Sequence, residues 1–202
     1  MKIELHCHTN RYSGCAANSS WQLMERFIEC GYGAVFITEH AAVWQLRELA
    51  ELQQQFPRIR VFGGVELNLG YDPYDHLLVL GSSDAAYLKL SDPAEILAKA
   101  RAEGHMTVLA HPFRFDARDR LLRKGLLPDA LEFRTCNHSL KQAQESAAAG
   151  QRYNLPLVNA GDTHALGFIN RYWIETDQDI ASPADLLRAI RAGAYQNCQA
   201  EE

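Results

Sequence analysis

Short apolar runs that open or close on a histidine or a carboxylate recur along this 202-residue chain. The first is Lys2-Ile3-Glu4-Leu5-His6-Cys7-His8-Thr9, whose first part alternates in the manner of a β-strand. Neighbouring strand side chains point to opposite faces, so His6 and His8 share a face, Glu4 has their parity, and Cys7 points away. Ala34 to Thr38 is a continuous apolar run, as in a strand covered on both sides, and ends in Glu39-His40. Ile59 to Leu67 carries Glu66 near its end. His76 opens the run to Gly81, Met106 to Ala110 stops at His111-Pro112, and Leu155 to Ala160 leads into Gly161-Asp162-Thr163-His164.

Helical periodicity and capping residues fill the intervals: Ser20 to Glu29, Ala42 to Gln55, Ser91 to Glu103, Ser139 to Tyr153 and Pro183 to Ala192. Ala130 to Phe133 and Tyr172 to Glu175 read as further strands, and the basic segment Arg114 to Lys124 as partly helical. The link from Asn68 to Asp75 is too short for a parallel crossover of about a dozen residues, so strands three and four are expected to form a hairpin that sets His76 beside Glu66. Strand-helix alternation with short loops specifies an α/β fold. Donor residues at the ends of at least six strands must converge, which favours a barrel over an open sheet. No Gly-x-Gly-x-x-Gly or P-loop is present. Residues 1–202 are read as one domain.

Composition narrows the function classes. The net charge of -5 and pI near 5.9 give no footprint for bulk nucleic-acid binding. No apolar run approaches the roughly 18–20 residues of a membrane span, and the first residues lack a signal-peptide pattern. Five cysteines without a C-x-x-C spacing argue against a disulfide framework and for a reducing, cytoplasmic location.

The candidate metal ligands are His6, His8, His40, Glu66, His76, His111, Asp162 and His164. Asp162 and His164 repeat the i, i+2 spacing of His6 and His8. Imidazoles with carboxylates suit zinc, manganese or iron. A carboxylate such as Glu66 can bridge two cations, and such a pair can polarise a phosphoryl group and supply hydroxide at neutral pH. Glu4 is a candidate acceptor for a ligating imidazole or a partner for a cation in the barrel, Glu39 a solvated strand end, and His105 and His138 surface or loop residues.

His6-Cys7-His8-Thr9, Ile37-Thr38-Glu39-His40, Gly64-Val65-Glu66, His76-Leu77-Leu78, Ala110-His111-Pro112 and Gly161-Asp162-Thr163-His164 together resemble the successive motifs of the PHP (polymerase and histidinol phosphatase) family. The resemblance implies a distorted seven-stranded β/α barrel that hydrolyses phosphoesters by metal-activated water at a di- or trinuclear centre of Zn, Mn or Fe. By position, His6, His8, Glu66 and Asp162 resemble the ligands of one metal, Glu66, His76 and His111 those of a second, and His40 and His164 two ligands of a third. The family usually supplies another Asp or His in the loop after the first strand. Here that loop reads Tyr12-Ser13-Gly14-Cys15, which leaves Cys15 or water for the third site. Glu39 stands where the family usually has Asp.

Arg11, Arg114, Arg134 and Arg171 each follow a ligand-bearing strand or motif and are candidate phosphate-binding residues, since guanidinium matches two phosphate oxygens. The expected partner is a small phosphorylated substrate, with an oligonucleotide end less favoured. Two rival readings keep the fold: a non-catalytic metal-stabilised module, favoured by the incomplete third site, and a C–N hydrolase of amidohydrolase type. The latter ranks last because Lys89, Lys99, Lys124 and Lys141 all fall away from strand ends, where a bridging carbamate would sit.

Overall fold

The computed structural model describes residues 1–69, 75–114 and 119–201. Its strands are β1 (Lys2–Cys7), β2 (Ala34–His40), β3 (Arg60–Asn68), β4 (His76–Leu80), β5 (Met106–Ala110), β6 (Ala130–Glu132), β7 (Leu157–Val158), β8 (Tyr172–Thr176) and β9 (Tyr195–Gln199). The helices are α1 (Ser20–Glu29), α2 (Leu46–Gln55), α3 (Pro93–Glu103), α4 (Arg120–Arg123), α5 (Leu140–Tyr153) and α6 (Pro183–Ala192), with a 3-10 turn at Ala85–Lys89. All nine strands join one sheet in the order β7-β6-β5-β4-β3-β2-β1-β8-β9. The pairs β1–β2, β2–β3, β5–β6 and β6–β7 are parallel, while β4 runs antiparallel to both β3 and β5. The expected hairpin is therefore present, and it pairs Glu66 with Leu78 and Asn68 with His76. Residues 70–74 of its connection and residues 115–118 of the basic segment lie outside the described residues.

The sheet curls into a nearly closed barrel. Its upper seam is made by backbone: Thr163 N–H donates to the His6 carbonyl and His8 N–H to the Thr163 carbonyl, each at 2.9 Å. Lower down, the β8–β9 pair fills the gap and side chains close it. Asn159 N–H donates to Asn197 Oδ1 at 2.6 Å, Asn159 Nδ2 to the Cys198 carbonyl at 2.9 Å, and the Tyr195 hydroxyl to the Leu157 carbonyl at 2.8 Å.

Ile3, Leu5, Phe36, Leu78, Leu80, Val108, Ala130 and Val158 form the interior cluster, and Leu186, Leu187 and Ile190 of α6 pack against it. Outside, α1 and α2 cover one side through Leu23, Phe27, Leu49 and Leu52, and α3 covers another through Ile96, Leu97 and Ala100. None of the described helices is long and apolar enough to cross a membrane.

Several boundaries differ from the sequence expectation for physical reasons. Helix α2 starts at Leu46 instead of Ala42, because Val43 and Trp44 are buried as loop residues and the Trp44 indole donates to Glu39 Oε1 at 2.9 Å. Strand β7 is only Leu157–Val158, since Asn159 and Gly161 give their N–H groups to side chains. Strand β9 has no apolar alternation and was not foreseen; it is the polar strand whose amides latch the barrel.

The register of β1 shifts between Glu4 and Cys7, a bulge that breaks the simple parity. Ile3 and Leu5 can then enter the interior cluster while His6 lies against Glu66 and Glu132. Glu4 is correspondingly neither an imidazole acceptor nor half of a cation pair. Its buried carboxylate accepts the backbone N–H of His6 at 3.0 Å and of Gly161 at 2.8 Å, tying β1 to the strand-seven extension. Burial pushes its pKa up to about 7, against the pull of those two N–H donors. A Cβ at Gly161 would collide with the Glu4 carboxylate and the Thr163 hydroxyl, so glycine is required for this approach. Glu4→Ala strands two buried N–H groups and is expected to destabilise the metal-free protein by on the order of 3 kcal/mol in urea unfolding. Glu4→Gln keeps the accepting oxygen and is expected to lose less than half as much; equal losses would show that the clamp is not hydrogen bonding.

Candidate metal centre

Five strands and the extension after β7 deliver the candidate donors to one end of the barrel. His6 Nε2, His8 Nε2, Glu66 Oε2 and Asp162 Oδ1 form the tightest group. His6 Nε2 lies 2.9 Å from His8 Nε2, 3.2 Å from Glu66 Oε2 and 3.4 Å from Asp162 Oδ1. His8 Nε2 lies 3.3 and 3.5 Å from the same two oxygens. Donors of a tetrahedral zinc site, each about 2.1 Å from the ion, stand about 3.4 Å from one another. Glu66 Oε1 faces a second set, His76 Nδ1 at 2.7 Å and His111 Nε2 at 3.0 Å. His40 Nδ1 is 2.8 Å from Glu66 Oε2, and His8, His40 and His164 form a further group whose donor atoms lie within 4.8 Å of one another. A cavity of about 220 Å³ lined by His40, Ala41, Glu66, Asn68 and His76 opens onto this end.

The hydrogen bonds around the group fix which imidazole nitrogen is available. A carboxylate only accepts, so His6 must donate from Nδ1 to Glu132 Oε1, at 2.7 Å, which in the neutral, ligating ring leaves the lone pair on Nε2. Ser13 Oγ donates to Glu39 Oε2 at 2.6 Å and accepts from His40 N–H at 3.1 Å, so its contact with His8 Nδ1 at 3.3 Å is an acceptance as well. In its neutral, ligating form His8 therefore also turns an Nε2 lone pair inward. His164 donates from Nδ1 to the Asp162 carbonyl at 2.9 Å. Asp162 Oδ2 is held by Asn137 Nδ2 at 2.5 Å and lies 3.5 Å from Arg114 Nη1, whereas Oδ1 faces the two Nε2 atoms. Glu66 Oε2, Asp162 Oδ1 and His111 Nδ1 are buried with no well-directed hydrogen bond; the two oxygens meet only the crowded imidazole nitrogens. Orphaned acceptors beside inward lone pairs fit a cation.

The charges are consistent with that fit. Burial opposes ionisation of Glu66, but His6, His111 and His40 outweigh it and hold the carboxyl well below its usual range. Asp162 is likewise held low against burial by His6 and His8. Burial and a protonated His8 lower the pKa of His164. Against burial, the surrounding carboxylates raise the pKa of His6 and His8, so in the metal-free protein these rings hold protons that a cation would displace. Backbone strain gathers here too. His111 and Asp162 have φ of 28° and 46°, and Ala41, directly after His40, has 46°. Left-handed backbone costs about 1–2 kcal/mol at a non-glycine residue and persists where the surroundings enforce it.

All eight candidate donors thus occupy one end of the barrel. Cys15 does not join them: its side chain is exposed and outside the three donor groups, and partial desolvation with the charges of Glu66 and Asp162 pushes its thiol up, away from the ligating thiolate. Arg114 reaches Asp162, but Arg11 turns to Glu48 and stacks near Trp44. Arg134 and Arg171 line a separate pocket. Glu39, expected to be solvated, is fully buried and anchors Thr9, Ser13 and Trp44. His138 lies in a loop, as expected, but is half-buried, with its ring nitrogens on the Phe133 and Pro112 carbonyls. Glu132, Ser13 and Asn137 were missed. Glu132 ends the apolar pair Ala130-Leu131 just as the flagged donors end their strands, so the same rule would have found it. The serine and asparagine carried no comparable signal.

Comparison with known proteins agrees with this geometry. The PHP domain model matches residues 4–111, more than half of the chain, and a PHP-associated model matches residues 141–195. No curated protein matches by sequence. Among solved structures, an amidohydrolase from Chromobacterium violaceum, with bound sulfate and no metal, shares 17% identity over 82% of this chain and 88% of its own, with a TM-score of 0.66. A two-domain protein from Bacteroides vulgatus containing a predicted PHP-like metal-dependent phosphoesterase shares 15% over 98% of this chain, with a TM-score of 0.74; this chain spans 64% of its length. A metal-dependent phosphoesterase candidate from Bifidobacterium adolescentis shares 13% over 94% of this chain and 95% of its own, with a TM-score of 0.67. These likenesses are of fold; the sequence match over 4–111, with the donor cluster, places the chain in the PHP domain family of metal-dependent hydrolases.

Proposed function

We propose that the protein hydrolyses a phosphoester of a small molecule, using two or three divalent cations held by His6, His8, Glu66, Asp162, His76, His111, His40 and His164. The observation that carries this reading is the pair of orphaned, buried carboxylate oxygens, Glu66 Oε2 and Asp162 Oδ1, facing inward-turned imidazoles. Divalent cations at such donors polarise a phosphoryl oxygen and make water acidic enough to supply hydroxide near neutral pH.

The chain's own residues set the conditions for that chemistry. Glu66 presents one oxygen to each donor set and so can serve two cations at once. Glu132 and the Ser13–Glu39 pair hold His6 and His8 in the ligating tautomer. Arg114, about one-quarter exposed beside Asp162, is the cation placed to meet phosphoryl oxygens from the solvent side. That guanidinium is the reason for preferring a phosphoester over a C–N bond.

Chelation is expected to abolish hydrolysis across a panel of phosphomonoesters and phosphodiesters, and added manganese or zinc to restore it. Metals retained with no turnover of either class would instead favour a non-catalytic module, and turnover of amides alone would favour the C–N hydrolase. Outer partners of metal-bound histidines are worth about 10–100-fold in metal affinity. Glu132→Gln is therefore expected to weaken metal binding by that factor in calorimetric titration, although Glu132 belongs to none of the donor groups. Unchanged affinity would remove Glu132 from the account.

A further inference from the structure

Arg134 and Arg171 stand apart from the donor cluster. They line a cavity of about 400 Å³ with Tyr172, Gln199, Ala200 and Glu201. Arg134 Nη2 reaches the Tyr172 hydroxyl at 3.5 Å, and its guanidinium carbon lies 5.2 Å from that ring's centroid. Arg171 spends only Nε, on the Gly167 carbonyl at 3.0 Å. Among the described residues neither guanidinium makes an ion pair, in contrast to Arg11, Arg26, Arg47, Arg123, Arg188 and Arg191. Each guanidinium carries five N–H donors, so most remain unspent.

The cavity lies at the same end of the barrel as the donor cluster. Arg134 sits two residues beyond Glu132, the partner of His6 Nδ1, and its carbonyl accepts Ala160 N–H at 3.1 Å. Tyr172 opens β8, which runs antiparallel to β1, and it pairs with Gln199 at the end of β9; both therefore lie toward the end where β1 delivers His6. Gly167, which holds Arg171, precedes Phe168, whose ring centroid is 6.4 Å from that of His164. Two guanidiniums lining one cavity repel each other unless an anion lies between them, and a phosphate dianion can accept from both.

We propose that the Arg134–Arg171 pocket is a second anion subsite, which takes a phosphate group of the substrate other than the one that reacts. The substrate class is then a small molecule with two phosphoryl groups, one at the cation cluster and one at the arginines. The assignment of the reacting end rests on the phosphoesterase reading. Glu201 shares the pocket and opposes a bound anion.

The matched probes are hexyl phosphate and hexanediol bisphosphate. Arg134→Gln, Arg171→Gln and Glu201→Gln are compared with the parent protein in two measurements: the kcat/KM preference for bisphosphate over monophosphate with manganese present, and calorimetric binding of the bisphosphate to the metal-free protein. Each arginine variant is expected to lose about tenfold in both, as for a charge-assisted hydrogen bond. Glu201→Gln is expected to gain in both, a sign that general destabilisation does not produce. Unchanged binding and preference overturn the subsite. So do equal losses on the two probes, which would put the arginines at the reacting phosphate. Absence of turnover on both probes overturns the phosphoesterase reading, and the calorimetry then decides the subsite alone.

Discussion

Four inward-facing polar atoms in one buried pocket need something positive between them, either protons on the imidazoles or a metal ion. His6 and His8 each spend Nδ1 on an outer partner, so their Nε2 atoms meet 2.9 Å apart, with Glu66 Oε2 and Asp162 Oδ1 alongside. All four residues are buried. Burying charge without compensation is costly, and the usual escape is neutralisation by a proton or a metal. Here, with no cation, Glu66 and Asp162 stay ionised while they pull His6 and His8 toward the protonated form, so a metal ion would take the place of those protons. A divalent cation resolves the repulsion at every donor at once.

Holding such a set together is the task of the barrel. The bulge in β1 lets Leu5 fill the interior while His6 reaches the carboxylates at the mouth. The β3–β4 hairpin brings His76 back beside Glu66, and left-handed backbone at His111 and Asp162 aims two more side chains. The seam between β1 and residues 161–163 matters most, because it sets Asp162 against His6 and His8. Backbone pairing, the Glu4 carboxylate and a glycine without a Cβ all serve that one approach. Sites carried on strands and braced by buried hydrogen bonds keep their geometry better than sites on free loops.

Much of this was legible in the sequence. Strand β5 and helices α1 and α6 match their expected spans, because amphipathic periodicity and caps are local signals. The donors were legible because each sits where an apolar run stops. Less visible were features that depend on distant partners. The β9 strand is polar because it pairs through amide side chains, and α2 begins late because Trp44 is drawn to Glu39. Parity counting misplaced Glu4, since a bulge is set by the neighbouring strand and not by the residues of β1 alone. Proximity in sequence to a donor likewise did not bring Arg11, Arg134 or Arg171 to the cluster.

Anomalous diffraction from crystals grown with manganese tests the central claim most directly. The account predicts a strong peak in coordination range of His6 Nε2, His8 Nε2, Glu66 Oε2 and Asp162 Oδ1, and a second beside Glu66 Oε1, His76 and His111. Manganese found only at the molecular surface, with these donors still facing one another around an empty or water-filled space, would contradict it.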